Sequence, residues 1–94
     1  MRFEWDLAKA ERNLRVHGVT FDDASTIFTD RLAGTIDDPL HSHEERRCVT
    51  IGLDSSGHPL VVVHTDRGEA IRLISARRAT RAERRRYEQT KPKA

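Results

Sequence analysis

The chain has 94 residues, 36% of them hydrophobic and 34% charged, with one cysteine and a formal net charge of +2. This length predicts a single domain over residues 1–90 with a frayed tail at 91–94, and it excludes a two-domain chain. Because the sequence has no apolar run near the roughly 18 residues of a membrane span, no apolar N-terminal signal stretch and no second cysteine for a disulfide, we expect a cytoplasmic protein without membrane contacts.

The N-terminal residues predict a short strand and a capped helix. "MRFEW" has strand character. Asp6 is suited to cap a helix over Leu7–His17, and Gly18 is suited to end it. His17, directly before this glycine, is placed at the negative end of the helix dipole. Apolar residues follow helical spacing along one side of the helix: Leu7, Ala10 and Leu14.

A second, shorter helix is predicted directly afterwards. Thr20 is suited to cap it, and Asp22 and Asp23 are favourable in its first turn. The apolar side of this helix is expected to consist of Phe21, Ala24, Ile27 and Phe28.

After Asp30 the hydrophobic period changes to that of strands. Four strands are predicted, in the stretches "LAGTID", "RRCVTIGLD", "LVVVHT" and "AIRLISA". Their short connections imply antiparallel hairpins. A last helix over Thr80–Gln89 begins with Thr80 and Glu83 in a capping-box arrangement. The order β-α-α-β-β-β-β-α predicts an α+β fold, with two N-terminal helices packed on a small antiparallel sheet and a C-terminal helix.

The polar loop "DPLHSHEERR" carries groups suited to proton transfer. His41 and His43 are histidines, a residue type suited to proton exchange near neutral pH, Glu45 can orient a histidine, and Arg47 can stabilise charge on a phosphate. The spacing of these histidines and glutamates matches no strong metal signature, so we expect neither a metal nor a cofactor. A solvated polar loop is the alternative interpretation.

The strand "IRLISARRA" contains an arginine within an apolar run. Regular alternation would place Arg72 on the side of the strand opposite to Ser75 and Arg77. A buried cation is costly unless it is paired, so Arg72 is expected at an open face or bonded to a carboxylate, for which Glu45 is a candidate. Such a pair has a structural interpretation as well as a catalytic one.

Positive charge is concentrated at the C-terminal end. From Arg72 onward there are nine Lys or Arg and two Glu, a net charge of +7, whereas residues 1–71 carry −5. Fourteen of the seventeen cations are arginine, which suits bidentate phosphate contacts better than lysine. This asymmetry favours an anionic partner. An arginine-rich composition bias is the alternative.

The C-terminal helix offers candidate RNA contacts. Arg81 and Arg84 lie along one side, while Glu83 and Tyr87 share another at a spacing of four residues. An aromatic ring among arginines is typical of RNA recognition, which combines cationic backbone contacts with base stacking. A solvated helix with an exposed pair between Arg84 and Glu88 is the alternative.

Together these motifs resemble one known family. The stretches "FEWDLAKAERNLRVHGVTF", "DDPLHSHEERRCVTIGLD" and "AIRLISARRATRAERRRYE" follow one another in the order and spacing of the BrnT toxins of type II toxin–antitoxin systems, which are related to RelE/ParE-type toxins. The resemblance implies a RelE-like fold, a ribonuclease that arrests translation, and RNA as substrate. It also implies a BrnA-like ribbon-helix-helix antitoxin as partner, with operator DNA bound only through the antitoxin complex.

The resemblance assigns polar motif residues to a site, and the chemistry of RNA cleavage suggests their roles. His41 is expected to act as base or acid with help from Glu45. Three arginines are expected to stabilise charge on the phosphate: Arg47, Arg72 and Arg77. Ser75 is the remaining catalytic candidate. The RNA-binding candidates are Arg81, Glu83, Arg84 and Tyr87.

Two other kinds of function compete with a nuclease. A basic module could bind nucleic acid without cleaving it, and ParE-like relatives act on DNA gyrase. The histidine and carboxylate loop favours the nuclease, because a protein that only binds has no need of a proton-transfer group.

Overall fold

The computed structural model describes residues 1–38 and 46–89. Its N-terminal elements are strand β1 (Arg2–Glu4), helix α1 (Leu7–His17), helix α2 (Phe21–Ser25) and a 3₁₀ helix (Thr26–Thr29). The later elements are strands β2 (Gly34–Asp37), β3 (Arg47–Leu53), β4 (Pro59–Arg67) and β5 (Ala70–Arg78), and helix α3 (Arg81–Gln89). This order confirms the predicted α+β fold. No helix in these two ranges is long and apolar enough to span a membrane.

The five strands form one sheet in the order β1-β5-β4-β3-β2. Strands β2 to β5 are antiparallel neighbours, as their short connections predicted. β1 differs, because it pairs with β5 in parallel, with Arg2 opposite Ala70 and Glu4 opposite Arg72. The sheet is therefore mixed rather than wholly antiparallel. A parallel pair needs a long connection between its strands, and here residues 5–69 supply it.

The helices begin and end at the predicted local signals. The Asp6 side chain caps α1, and Gly18, at a φ of 71°, ends it. The Thr20 hydroxyl caps α2. At α3, the Thr80 hydroxyl accepts a hydrogen bond from the Glu83 amide, and the Glu83 carboxylate accepts one from the Thr80 amide. These exchanged bonds confirm the capping box and fix the turn between β5 and α3.

The hydrophobic core lies on one face of the sheet, called here the inner face. The buried cluster on this face consists of Val19, Phe21, Ala24, Ile27, Leu60, Val62, Leu73 and Ala76. The apolar side expected for α1 contributes little to it, since Leu7 is 75% and Leu14 49% exposed. The buried residue of α1 is instead polar, Asn13.

Asn13 joins α1 to an unpaired edge of β5. Its Nδ2 donates to the carbonyl oxygens of Val19, at 2.9 Å, and Ala76, at 2.8 Å. Its Oδ1 accepts from the Ala76 amide at 3.0 Å. Because β1 pairs only with residues 70–72, the amide side chain satisfies backbone groups on the part of β5 that β1 leaves open.

A β-bulge in β5 lies beside this contact. Leu73 is opposite His64 and Ser75 is opposite Val63, so Ile74 has no counterpart on β4. The extra residue brings both Leu73 and Ala76 to the inner face, although they are three positions apart. Regular alternation along β5 is therefore broken at Ile74.

A chain of polar side chains crosses the inner face from the exposed Thr35 on β2 through the buried Thr50 on β3 to the buried His64 on β4. The Thr35 and Thr50 hydroxyl oxygens are 2.6 Å apart, and the Thr50 oxygen lies 2.7 Å from Nε2 of His64. Burial lowers the pKa of His64, whose ring also packs edge-on against Phe28. This chain attaches the edge strand β2, and with it the start of the following loop, to the centre of the sheet.

Candidate functional site

The face of the sheet opposite to the core, called here the outer face, brings together residues from three strands. It carries Arg47, Val49 and Ile51 of β3, Val61, Val63 and Thr65 of β4, and Arg72, Ser75 and Arg77 of β5. All four of the candidate catalytic residues that the structure describes therefore lie on one face.

Two arginines flank a threonine in one row across the outer face. Thr65 is opposite Arg47 on one side and opposite Arg72 on the other. Two strand spacings separate the arginine Cα atoms by about 10 Å. Both arginines are half-buried, and within residues 1–38 and 46–89 neither forms an ion pair. Glu4 is the register partner of Arg72 on β1, but the two do not form a salt bridge.

The position of Arg72 corrects the regular alternation predicted for β5. Arg72, Ser75 and Arg77 are opposite Thr65, Val63 and Val61, which alternate regularly along β4 and so share a face. The bulge at Ile74 shifts the register by one residue, and this brings Arg72 to the side of Ser75 and Arg77. The bulge thereby assembles the polar residues of β5 into a single surface.

Arg77 and Glu83 form a two-pronged ion pair at the start of α3. Nη1 of Arg77 lies 2.7 Å from Oε1 of Glu83, and Nη2 lies 2.9 Å from Oε2. The hydrogen bond from Arg77 is the main reason why the pKa of Glu83 falls to about 2, with the Thr80 amide adding to it. The same bond raises the pKa of Arg77. Glu83 therefore orients the Arg77 guanidinium on the outer face.

Replacing Glu83 with glutamine is expected to lower the free energy of unfolding by about 1 kcal/mol at pH 7. The lowered pKa of Glu83 alone would imply a larger stabilisation energy. Solvent screening reduces that energy, because the side chains of Arg77 and Glu83 are 43% and 30% exposed. A carboxylate whose folded pKa lies below its unfolded value stabilises the fold above the unfolded pKa, near 4.5, and this contribution is lost as the pH falls towards 2.

Urea unfolding of both proteins between pH 7 and pH 2 tests this expectation. The difference between wild type and Glu83→Gln should be constant above pH 5 and shrink below pH 4.5. A difference that stays constant down to pH 2 would show that the carboxylate charge is not responsible.

The arginines of α3 differ in their surroundings. Nε of Arg84 lies 3.1 Å from Oε1 of Glu88, in the exposed pair that was the alternative interpretation of this helix. Arg81 and Arg84 also line a groove of about 380 Å³ together with Arg78 and His58. The groove lies where the β3–β4 turn meets the start of α3, so these cations form a basic surface adjoining Arg77.

Tyr87 is buried rather than presented to solvent. Tyr87 is 3% exposed, and its hydroxyl donates a hydrogen bond to Oδ2 of Asp30 at 2.5 Å. The same carboxylate oxygen accepts from the Leu53 amide at 2.8 Å. The pKa of Tyr87 is raised to about 12, mainly because the residue is buried and secondly because its hydroxyl is bonded to Asp30. The tyrosine thus attaches α3 to β3, and its predicted stacking on an RNA base has no support from this position.

Two candidate residues of the loop, His41 and Glu45, lie outside the described residues. The flanking residues Asp37 and Arg47 are described: Asp37 is the last residue of β2 and Arg47 is the first residue of the neighbouring strand β3. Nη2 of Arg46 and Oδ1 of Asp37 are 3.0 Å apart, in an exposed ion pair that joins the two ends of this loop.

The sequence interpretation missed two residues of this region. Thr65 is 1% exposed, lies between the two arginines, and its hydroxyl has no hydrogen-bond partner in the described part of the chain. A threonine in an apolar strand gives no signal of its own. Asn13 gave a stronger signal, since an amide in the middle of a helix calls for hydrogen-bond partners when it is buried.

Comparisons with known proteins point to one family. Residues 5–83 match the family model described as "Ribonuclease toxin, BrnT, of type II toxin-antitoxin system". The crystal structure of the Brucella abortus ribonuclease toxin BrnT is similar to this fold with a TM-score of 0.63 and 25% sequence identity. The match covers 86% of this chain and 99% of the Brucella chain. No curated protein matches the sequence significantly.

Proposed function

Because the chain belongs to the BrnT family of ribonuclease toxins of type II toxin–antitoxin systems, we propose that its outer face is the RNA-cleaving site. The observation that carries this proposal is the row of Arg47, Thr65 and Arg72. Two half-buried arginines without anionic partners in the described ranges form a site that favours a phosphate.

The proposed reaction uses the ribose as its own nucleophile. The 2′-hydroxyl gives its proton to a base and attacks the adjacent phosphorus, while the bond to the 5′ oxygen breaks and an acid protonates that oxygen. The products are a 2′,3′-cyclic phosphate and a 5′-hydroxyl. Arg47 and Arg72 would stabilise the charge that develops on the phosphate oxygens, and Arg77, oriented by Glu83, would add positive charge beyond Ser75 on the same strand.

His41 is proposed as the base or the acid, with Glu45 assisting it. Their loop leaves β2 at Asp37 and enters β3 at Arg47. Glu45 is two residues from Arg47, within about 7 Å along the chain, and His41 is four residues from Asp37, within about 14 Å. The reach of the backbone therefore allows both side chains to serve the phosphate beside Arg47.

The basic surface at the start of α3 is proposed to hold the RNA on one side of the scissile bond. Arg81 and Arg84 would contact backbone phosphates from the groove that they share with Arg78 and His58. Ser75 would contribute a hydroxyl near the scissile phosphate. Glu83 and Tyr87 would act indirectly, the first by orienting Arg77 and the second by attaching α3 to Asp30.

In the cell, the proposed consequence of cleavage is arrest of translation. A type II toxin is held inactive by a protein antitoxin, and we assign this role to a BrnA-like ribbon-helix-helix protein whose complex with the toxin binds operator DNA. The site of action would be the cytoplasm. The basic residues of α3 and the outer face provide the charge that an antitoxin must cover.

Replacing His41 with alanine is expected to slow RNA cleavage by about 100-fold or more, the usual effect of removing a general acid or base. Wild type should cleave a defined oligoribonucleotide equally well with and without EDTA, and the products should carry 2′,3′-cyclic phosphate ends. Both are read by gel electrophoresis and mass spectrometry.

His43→Ala is the matched control, because it removes the other histidine of the same loop, and it should keep most of the activity. Equal cleavage by the His41→Ala and wild-type proteins would remove His41 from the mechanism. Loss of activity in EDTA would overturn the metal-independent reaction.

A further inference from the structure

A second groove lies on the side of the molecule where α1 faces β5. β1 pairs with β5 only over residues 70–72, so the edge of β5 beyond this point faces α1. The gap between them is a groove of about 270 Å³. Its lining consists of Lys9, Arg12, Asn13, Val16, His17, Ile74 and Ser75. The sequence interpretation assigned no binding role to the residues of α1.

The chemistry of this groove suits an anion attached to an apolar group. The lining includes two cations and an imidazole, and no carboxylate. Lys9 and Arg12 are exposed and form no ion pair with the described residues. Val16, which is 61% exposed, and the half-buried Ile74 provide an apolar surface beside these charges. A nucleotide combines these properties, since its phosphate is anionic and its base has a flat apolar face.

The frame of the groove is fixed rather than adaptable. The Asn13 amide is fully used in bonds to Val19 and to both backbone groups of Ala76. These bonds hold α1 at a constant distance from β5, so Asn13 shapes the groove instead of binding in it. The bulged residue Ile74 also lines it.

The groove is continuous with the proposed catalytic surface through Ser75. This residue lies on the outer face, opposite Val63, and also lines the groove. Arg72 is three residues away on the same strand, a distance of about 10 Å. A strand of RNA whose scissile phosphate lies at Arg72 can therefore pass over the open edge of β5 and reach α1.

We infer that the groove between α1 and β5 binds the RNA segment that flanks the scissile bond, with Lys9 and Arg12 on its phosphates and Val16 and Ile74 against a base. This inference rests on the proposed function of the outer face. It adds a second RNA contact to the one proposed for the groove of Arg81 and Arg84, which lies further along β5, beyond Ser75.

The test is the binding of an oligoribonucleotide with 2′-O-methyl groups, which cannot form the cyclic phosphate and so stays uncleaved. Its affinity for wild type and for the double variant Lys9→Ala, Arg12→Ala is measured by fluorescence anisotropy at several salt concentrations. We expect about tenfold weaker binding by the double variant. The loss of two phosphate contacts should also reduce the slope of log K against log salt by about 1.4.

Arg15→Ala is the matched control, because it removes an exposed cation of α1 that does not line the groove. It should change neither the affinity nor the salt slope by a comparable amount. The pair Lys9→Gln, Arg12→Gln keeps more of the side-chain stems and repeats the test if the alanine variant is unstable. Thermal unfolding confirms that each variant is folded.

The outcomes separate the two proposals. If wild type cleaves unmodified RNA but the double variant binds the methylated RNA with unchanged affinity and salt slope, the groove is not an RNA site. If the double variant binds RNA normally but binds the antitoxin more weakly, the inference would also be overturned, because the groove would then be a binding site for a protein partner. If wild type binds but does not cleave unmodified RNA, the proposed function of the outer face fails instead.

Discussion

Replacing Arg72 with alanine is expected to reduce RNA cleavage by about 100-fold while leaving the fold intact. Arg72 is half-buried on the outer face and has no ion pair in the described part of the chain, so its removal breaks no salt bridge there. Its expected role is to stabilise charge on the phosphate in the transition state, and loss of one such group costs a factor of about 100 to 1,000 in rate. Single-turnover cleavage of a short oligoribonucleotide measures the effect.

Two further variants distinguish a site residue from a general cation. Arg72→Lys keeps the charge but not the planar guanidinium, and should recover only part of the activity. Arg85→Ala removes an exposed arginine of α3 that does not lie on the outer face, and should change cleavage less than twofold. If Arg72→Ala and Arg85→Ala have the same small effect, overall charge rather than the arginine row governs the reaction.

Replacing Asn13 with alanine is expected to lower the free energy of unfolding by about 4 kcal/mol. The substitution leaves the amide and carbonyl of Ala76 and the carbonyl of Val19 without their partner in a buried position. Each buried group that loses its hydrogen bond costs about 1–3 kcal/mol. Since a domain of this size is stabilised by only about 5–15 kcal/mol, the variant should be close to unfolding at 37 °C.

Urea unfolding followed by circular dichroism measures this change, with Arg15→Ala as a control on the same helix. Asn13→Asp is informative as a second variant, because it keeps the acceptor for the Ala76 amide but sets a carboxylate against two carbonyl oxygens. It should be destabilised as well. A loss below 1 kcal/mol in Asn13→Ala would mean that water replaces the amide and that α1 is not fixed through this residue.

The parts of the fold that depend on neighbouring residues could be predicted from the sequence. Asp6 and Gly18 bound α1, and Thr80 with Glu83 begins α3, because caps are formed by residues a few positions apart. The four later strands followed from their apolar runs and the polar turns between them. The family resemblance carried the remaining step to a ribonuclease toxin, and the family match confirms it.

The features that the sequence did not predict depend on distant residues. The prediction placed Arg72 on the wrong side of β5, because it assumed that side chains alternate regularly along the strand. The bulge at Ile74 breaks this alternation, and it lies beside the hydrogen bond between Asn13 and Ala76, which are 63 positions apart in the sequence. The burial of Tyr87 likewise depends on Asp30, 57 positions away. No local pattern contains such pairings.

The parallel pairing of β1 with β5 has a consequence for the order in which the molecule is made. β1 is synthesised first, but its partner residues 70–72 follow only after most of the chain has been translated. Contacts between such distant residues are slow to form because a long loop must close first. The arginine row needs β5, and its bulge lies beside a bond from α1, so an incomplete chain on the ribosome lacks the assembled surface. The proposed RNA-cleaving surface can therefore form only once β5 has been translated.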